Sequence, residues 1–325
     1  MIKTFIYFSM VLLLTSCNKG ESSSAKIHSD TIKILDYNII VAPDLSNRIN
    51  PKIHPKPVND TLIISEIINN IETILDIDRK TNQSDKYHFD FINKGILNQN
   101  IINPQALTID FKRFNGKPLD LSNYIRNDLK KDTRAFTKSV HTVYNYSLNN
   151  SSGSDIWNYL NETILTSLSR DAIKDITPEG NLTEDPTVIK KTENILILIT
   201  DGYIENINKS SGYAFNQSTV KQIREEFKNS KSDNLKSFIL SHPKYLINPT
   251  DKTLSDVNVL VLEIYDRSLD QNGVAKEHPT DFQIMKIVWE KWLLDSGAKN
   301  VSINPTVSKK EEVFPIINNF ITALN

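Results

Sequence analysis

Two apolar runs in this chain each stop at an acid. Tyr37-Asn38-Ile39-Ile40-Val41-Ala42-Pro43 leads into Asp44-Leu45-Ser46, and Asn194-Ile195-Leu196-Ile197-Leu198-Ile199-Thr200 leads into Asp201-Gly202. Strands that are apolar on both faces belong in a buried parallel sheet. An acid just past such a strand falls on the carboxyl-end rim, where open α/β sheets hold their ligands. If the two strands are neighbours, Asp44 and Asp201 share that rim. Their mutual repulsion is then relieved by a bound cation. Gly202 permits the tight turn after the second strand. A further hydroxyl comes from Gly153-Ser154-Asp155-Ile156, which opens an amphipathic segment carrying Ile156, Trp157, Leu160, Ile164 and Leu168 on one helical face. Ser154 is expected at the N-cap of that helix.

Asp and Ser oxygens are hard ligands, suited to Mg2+, Mn2+ or Ca2+ rather than to zinc. The candidate metal ligands are therefore Asp44, Ser46, Ser154 and Asp201. Two carboxylates and two hydroxyls leave room for water and for one outside ligand. Ser46 has no base beside it in sequence, and none of the six histidines is close to the three loops, so a nucleophilic triad has no support.

The order acid-x-hydroxyl, then Gly-hydroxyl-Asp-Ile, then Thr-Asp-Gly after a strand resembles the von Willebrand factor type A domain, over roughly residues 33–325. In that family these pieces form the metal ion-dependent adhesion site, patterned Asp-x-Ser-x-Ser, then Thr, then Asp. Asp44 and Ser46 match the first two positions, Ser154 replaces the Thr but keeps its hydroxyl, and Asp201 matches the last. Arg48 departs from the pattern, standing where the second Ser belongs. Its guanidinium either competes with a cation for the acids or points to solvent. The resemblance implies a Rossmann-like, doubly wound, mostly parallel sheet with helices on both faces. It also implies a hairpin between the second and third strands, and an open metal position that takes a carboxylate from a partner protein.

The N-terminus is read separately from the fold. Lys3 precedes an apolar run, Phe5 to Leu14, of signal-peptide length and too short to span a bilayer. Leu14-Thr15-Ser16-Cys17 resembles the lipobox of bacterial lipoproteins, which implies cleavage before Cys17 and lipid on its thiol. Cys17 is the only cysteine of the 325 residues, so the chain has no internal disulfide. Residues 1–16 are then a signal peptide, 17–32 a lipidated Cys with a polar tether, and 33–325 one domain. This places the protein in the bacterial cell envelope, held to a membrane by lipid. A formal net charge of −1 gives no basis for nucleic-acid binding.

Strands and helices alternate through the rest of the chain. Strands are expected at 33–42, 87–92, 106–111, 194–200, 257–265 and 301–303. Helices are expected at 60–75, 121–129, 134–146, 221–228, 281–294 and 313–324, with an apolar stripe at helical spacing in 60–75, 134–146, 281–294 and 313–324. Trp289 and Trp292 fall on such a stripe, as does Trp157, and all three are expected in the core. Residues 171–193 read as a connection, and 229–256 show no period.

Three functions fit this pattern. The first is a membrane-tethered, divalent-metal-dependent module that binds an envelope or extracellular protein and has no catalytic residues. The second is a type A scaffold whose metal site has decayed and which binds a partner elsewhere. The third is a metal-dependent phosphohydrolase. The haloacid dehalogenase kind needs Asp-x-Asp at the first strand, and Ser46 at its second position argues against it.

Overall fold

A computed structural model describes residues 32–77, 83–92, 94–97, 99–150, 153–169, 174–176, 188–204, 214–251 and 253–324. Cys17 and the whole N-terminal leader lie outside these residues. The strands are β1 (Ile32–Pro43), β2 (Lys86–Phe89), β3 (Thr108–Asp110), β4 (Lys174–Ile176), β5 (Val188–Ile199), β6 (Val257–Ile264) and β7 (Asn300–Pro305). The helices are α1 (Asp60–Asn69), α2 (Ile71–Leu75), α3 (Lys94–Leu97), α4 (Pro118–Asn127), α5 (Leu129–Asn149), α6 (Ile156–Asn161), α7 (Gln217–Ser230), α8 (Leu235–Leu240), α9 (Asp281–Asp295) and α10 (Val313–Thr322).

The sheet runs β3-β2-β1-β5-β6-β7, with β4 added beside β5. β1 is parallel to β2 and β5, β5 to β6, and β6 to β7, while β3 and β4 are antiparallel. The expected α/β architecture, mostly parallel and covered on both faces, is what the chain adopts. Successive residues of a strand point to opposite faces, so each apolar run feeds two cores. Ile39, Val41, Ile195 and Ile197 pack on one face with Ile64 and Ile67 of α1, Phe136 and Val140 of α5 and Ile317 of α10. Ile40, Ala42, Leu196 and Leu198 pack on the other with Leu160, Ile223, Ile239 and Trp289. Each of the Ile, Leu, Val and Phe side chains among them, fully buried, stabilises by about 1.5–3 kcal/mol.

Three expectations need correction. The strand expected from Asn194 begins six residues earlier, at Val188, and pairs with β1 along its whole length. Its first half was hidden because Lys190, Lys191, Thr192 and Glu193 carry no apolar signal. There β5 is bonded to β4 on the side that β6 takes over from Asn194 onward. The single helix expected over 60–75 breaks at Asn70 into α1 and α2, so the isoleucine stripe belongs to two short helices. The segment after Ser154 is a six-residue helix followed by a 3-10 turn at Thr163–Thr166, not one helix running to Leu168. Trp289 and Trp292 are buried as expected, whereas Trp157 is only partly so.

Candidate functional site

Pro43 ends β1 opposite Ile199, the last residue of β5, so both chains leave the sheet at one level. The Asp44 N–H then donates to the Ile199 carbonyl at 2.8 Å, which extends the ladder by one bond and fixes the Asp44 backbone at the rim. Asp44 is only 3% exposed. Its Oδ1 accepts from the Ser46 N–H at 3.0 Å, and its Oδ2 from the Thr200 hydroxyl at 3.3 Å. Thr200 in turn accepts from the Gly202 N–H at 3.2 Å, so one hydroxyl links the two rim loops. Gly202 takes φ +86°, and its carbonyl accepts from the Trp289 indole at 2.9 Å. The turn that carries Asp201 is thereby pinned to α9.

Asp44, Ser46, Ser154 and Asp201 all line one cleft of about 330 Å3, together with Asn47, Arg48, His54, Gly153, Tyr203 and Arg267. The four expected ligand residues are therefore brought together. Ser154 is not the N-cap: Asp155 holds that place and accepts from the Asn158 N–H at 2.9 Å. An Asp at the cap leaves the preceding hydroxyl without a role in the helix. Ser154 Oγ is buried and has no hydrogen-bond partner among the described residues. A buried hydroxyl in that state has an unmet cost of about 1–3 kcal/mol, which a ligand at the cleft would remove.

Of the two courses expected from sequence, Arg48 does not point to solvent; it reaches Asp44 but pairs mainly with Asp60. It is buried, and its guanidinium grips Asp60 of α1 while Nη2 also donates to the Ile199 carbonyl at 2.8 Å. Its Nε stands 3.5 Å from Asp44 Oδ2. Burial opposes the guanidinium charge, but Asp60 and Asp44 outweigh it and hold Arg48 protonated more firmly than usual. Burial likewise opposes the Asp60 charge, and Arg48 and then Lys56 overcome that, leaving its carboxyl below the ordinary range. Arg48 is thus a strut beneath the rim, with its main anion outside the cleft.

Asp201 is in a different electrostatic state. Burial first, and then the Asp44 charge, push its carboxyl above the ordinary range against the pull of Arg48, the Tyr203 N–H and Arg267. The Tyr203 N–H reaches Asp201 Oδ1 at 3.2 Å, and Arg267 Nη2 lies 3.5 Å from Oδ2. Each rim acid thus has one guanidinium at 3.5 Å, Arg48 beside Asp44 and Arg267 beside Asp201.

Tested against a hard divalent cation, the residues fit. The donors are all oxygen, one hydroxyl is orphaned, and one carboxyl is held up by burial and then by its neighbour's charge, while the guanidiniums of Arg48 and Arg267 stand 3.5 Å from the two acids. Among the described residues no grouping of three or more His, Cys, Asp or Glu is placed to hold a metal. Among the described residues lining the cleft, Asp44 and Asp201 are the carboxylates, and hydroxyls and water would complete the shell.

Sequence reasoning missed Thr200, Tyr203, Arg267 and His54. The expectation that no histidine lies near the site is overturned, because the loop after Pro51 brings His54 to the cleft wall. Arg267 could have been found by the same rule that found the acids. Residues 257–265 are a third apolar run ending at an acid, Asp266, and Arg267 follows it. Comparison with models of known protein families and with curated proteins finds no match.

Proposed function

We propose that this chain is a lipid-anchored protein of the bacterial cell envelope, of the von Willebrand factor type A kind, and that it acts as a divalent-metal-dependent protein-binding module. The observation that carries the reading is the cleft. Two acids from adjacent parallel strands and two hydroxyls from separate loops meet there, and the Ser154 hydroxyl has no partner within the described residues. β2 and β3 pair antiparallel as the resemblance implies, but α3 and a 3-10 turn at Pro104–Leu107 lie between them in place of a tight hairpin loop.

Asp44 and Asp201 would hold the cation, directly or through water, with Ser46 and Ser154 beside them. The cation would supply positive charge for a carboxylate of the partner. The chain's own residues do the rest. Thr200 and the Ser46 N–H orient Asp44, Trp289 fixes the Asp201 turn, and Arg48 braces the floor from below. Ser46, where a haloacid dehalogenase would carry its second acid, favours binding over phosphoryl transfer. A site that has lost its metal is the second reading. It is favoured by Arg267, already 3.5 Å from Asp201.

The anchor rests on Cys17 and its lipobox. No helix among the described residues is long and apolar enough to cross a membrane. Calorimetry with Mg2+, Mn2+ and Ca2+ on wild type and Asp44→Ala tests the metal reading. Heat in wild type that is absent in Asp44→Ala is the expected result, and no heat in either overturns it. Chelator-sensitive retention of an envelope protein on the immobilised domain tests the binding role.

A further inference from the structure

The two arginines at the rim are held in different ways. Arg48 is 2% exposed at its side chain, against 24% for Arg267. Arg48 is clamped by Asp60 and the Ile199 carbonyl. Arg267 has looser ties. Its Nη1 donates to Gln217 Oε1 at 3.1 Å, its guanidinium lies over the Tyr203 ring 4.1 Å from the centroid, and Nη2 is 3.5 Å from Asp201 Oδ2. The last distance is an ion pair without a well-formed hydrogen bond.

Arg267 also lines two spaces. One is the cleft of the acids, and the other is a neighbouring hollow of about 320 Å3 whose wall includes Gln217, Lys221 and Arg224 together with the acids Glu277 and Asp281, both paired with Arg224. Two of its three ties, to Gln217 and to the Tyr203 face, need not be lost if Nη2 moves away from Asp201. A guanidinium is charged at every working pH. It is thus a permanent counter-cation that offsets Asp201 without filling a metal's coordination shell. A divalent ion at Asp201 would meet this charge within a few ångströms and be repelled by it.

We infer that Arg267 is a latch on the cleft. It balances Asp201 when no cation is bound and swings toward the hollow beside α7 when one binds. This rests on the cation reading above. Arg48 also stands 3.5 Å from an acid but is clamped in the floor, so the movable competitor is Arg267, on the third rim loop. Cation affinity is then set by how readily Arg267 leaves. Anything that draws the guanidinium toward Gln217 raises the affinity of the cleft.

The test is Mn2+ calorimetry on the full-length protein as wild type, Arg267→Gln, Arg267→Lys and Asp44→Ala. A second readout follows the Arg267 side-chain NMR signal as Mg2+ is added. Arg267→Gln is expected to tighten binding at least tenfold. Arg267→Lys, which keeps the charge, is expected to stay within about threefold of wild type, and Asp44→Ala to lose the heat. The wild-type Arg267 signal is expected to shift and its N–H exchange to quicken as Mg2+ binds. Equal affinity in wild type and Arg267→Gln, with an unmoved Arg267 signal, overturns the latch and leaves the cation reading standing. Weaker binding in Arg267→Gln also overturns the latch alone, since it would make Arg267 a support for the site. No Asp44-dependent heat in any variant overturns both.

Discussion

Arg48 donates to the Ile199 carbonyl at 2.8 Å and so ties the loop after β1 to the last residue of β5. The same guanidinium holds Asp60 at the start of α1. One buried side chain therefore fixes two strands and a helix around the rim. Arg48→Ser would match the adhesion-site pattern more closely, yet it should not improve the site. It leaves Asp60 buried with only Lys56 at 3.1 Å and the Tyr144 hydroxyl at 3.2 Å. Breaking a buried pair from one side costs about 3–5 kcal/mol, and the remaining Lys56 puts the expected loss near the lower end. Urea unfolding at pH 7 measures it. Asp60 is depressed in the folded state, so its contribution is present above its ordinary value of 3.8 and is lost as pH falls through the lower folded value. The wild-type advantage over Arg48→Ser should accordingly shrink in acid. A full advantage persisting there would show that Arg48 acts by packing alone.

The turn after Asp201 depends on Gly202. At φ +86° an L side chain is strained by about 1–2 kcal/mol. A Cβ there would also come within 2.7 Å of Ile264 Cδ1 and 3.0 Å of Met285 Sδ. Both contacts are with the outer parts of side chains, so some of the clash can relax, but Ile264 and Met285 are fully buried and have little room. Gly202→Ala should lose about 2–4 kcal/mol in thermal or urea unfolding. A loss under 1 kcal/mol would mean the turn can change its conformation.

The sheet was legible in sequence wherever a strand is buried on both faces. Ile39 to Ala42, Ile195 to Ile199 and Val257 to Leu262 announced themselves, and the acids at their ends marked the rim. The first half of β5 was not legible, because its neighbours satisfy polar side chains. Lys190 pairs with Asp36 at 3.3 Å, and Asn194 meets Asn38 at 2.8 Å. A strand stabilised by polar cross-strand partners has no apolar period to read. At the site the donor types were visible, but the fate of Arg48 was not. Asp60, twelve residues on, looked only like a helix start, and nothing local shows that the two meet beneath the rim. The cap of α9 was visible in principle, since Thr280 and Gln283 form a reciprocal capping box.

The anchor is tested apart from the fold. Cys17→Ser should move the protein from the membrane fraction to the soluble or uncleaved pool, as judged by fractionation. The motive is that the apolar run before Cys17 is shorter than the ~20 residues a span needs. Fatty-acid label incorporated equally by wild type and Cys17→Ser would sink the lipoprotein reading.

Glu263 gives the chain a pH dependence of definite sign. It is 1% exposed and lies at the irregularity where β6 and β7 change register, with φ +73°. Its Oε1 accepts from the Val307 N–H at 3.2 Å, while Oε2 is buried without a partner among the described residues. Burial, and then the Asp60 charge, push its carboxyl up to about 7, against Lys56, the Val307 N–H and Arg48. The folded value lies above the ordinary 4.5, so the folded state holds a proton that the unfolded state has released. Stability contributed by this group should therefore fall as pH rises from 4.5 toward 7 and then level off. The full effect is on the order of a few kcal/mol. Asp201, raised in the same direction, contributes a loss of the same sign as pH rises above its ordinary 3.8. Glu263→Gln keeps the shape and the acceptor for the Val307 N–H and removes the charge. At pH 8 it should be more stable than wild type by about 1–3 kcal/mol, and at pH 4.5 nearly equal to it. Urea midpoints for both proteins at half-unit pH steps from 4.5 to 8 decide this. Parallel curves across that range would show that Glu263 is not the group that titrates.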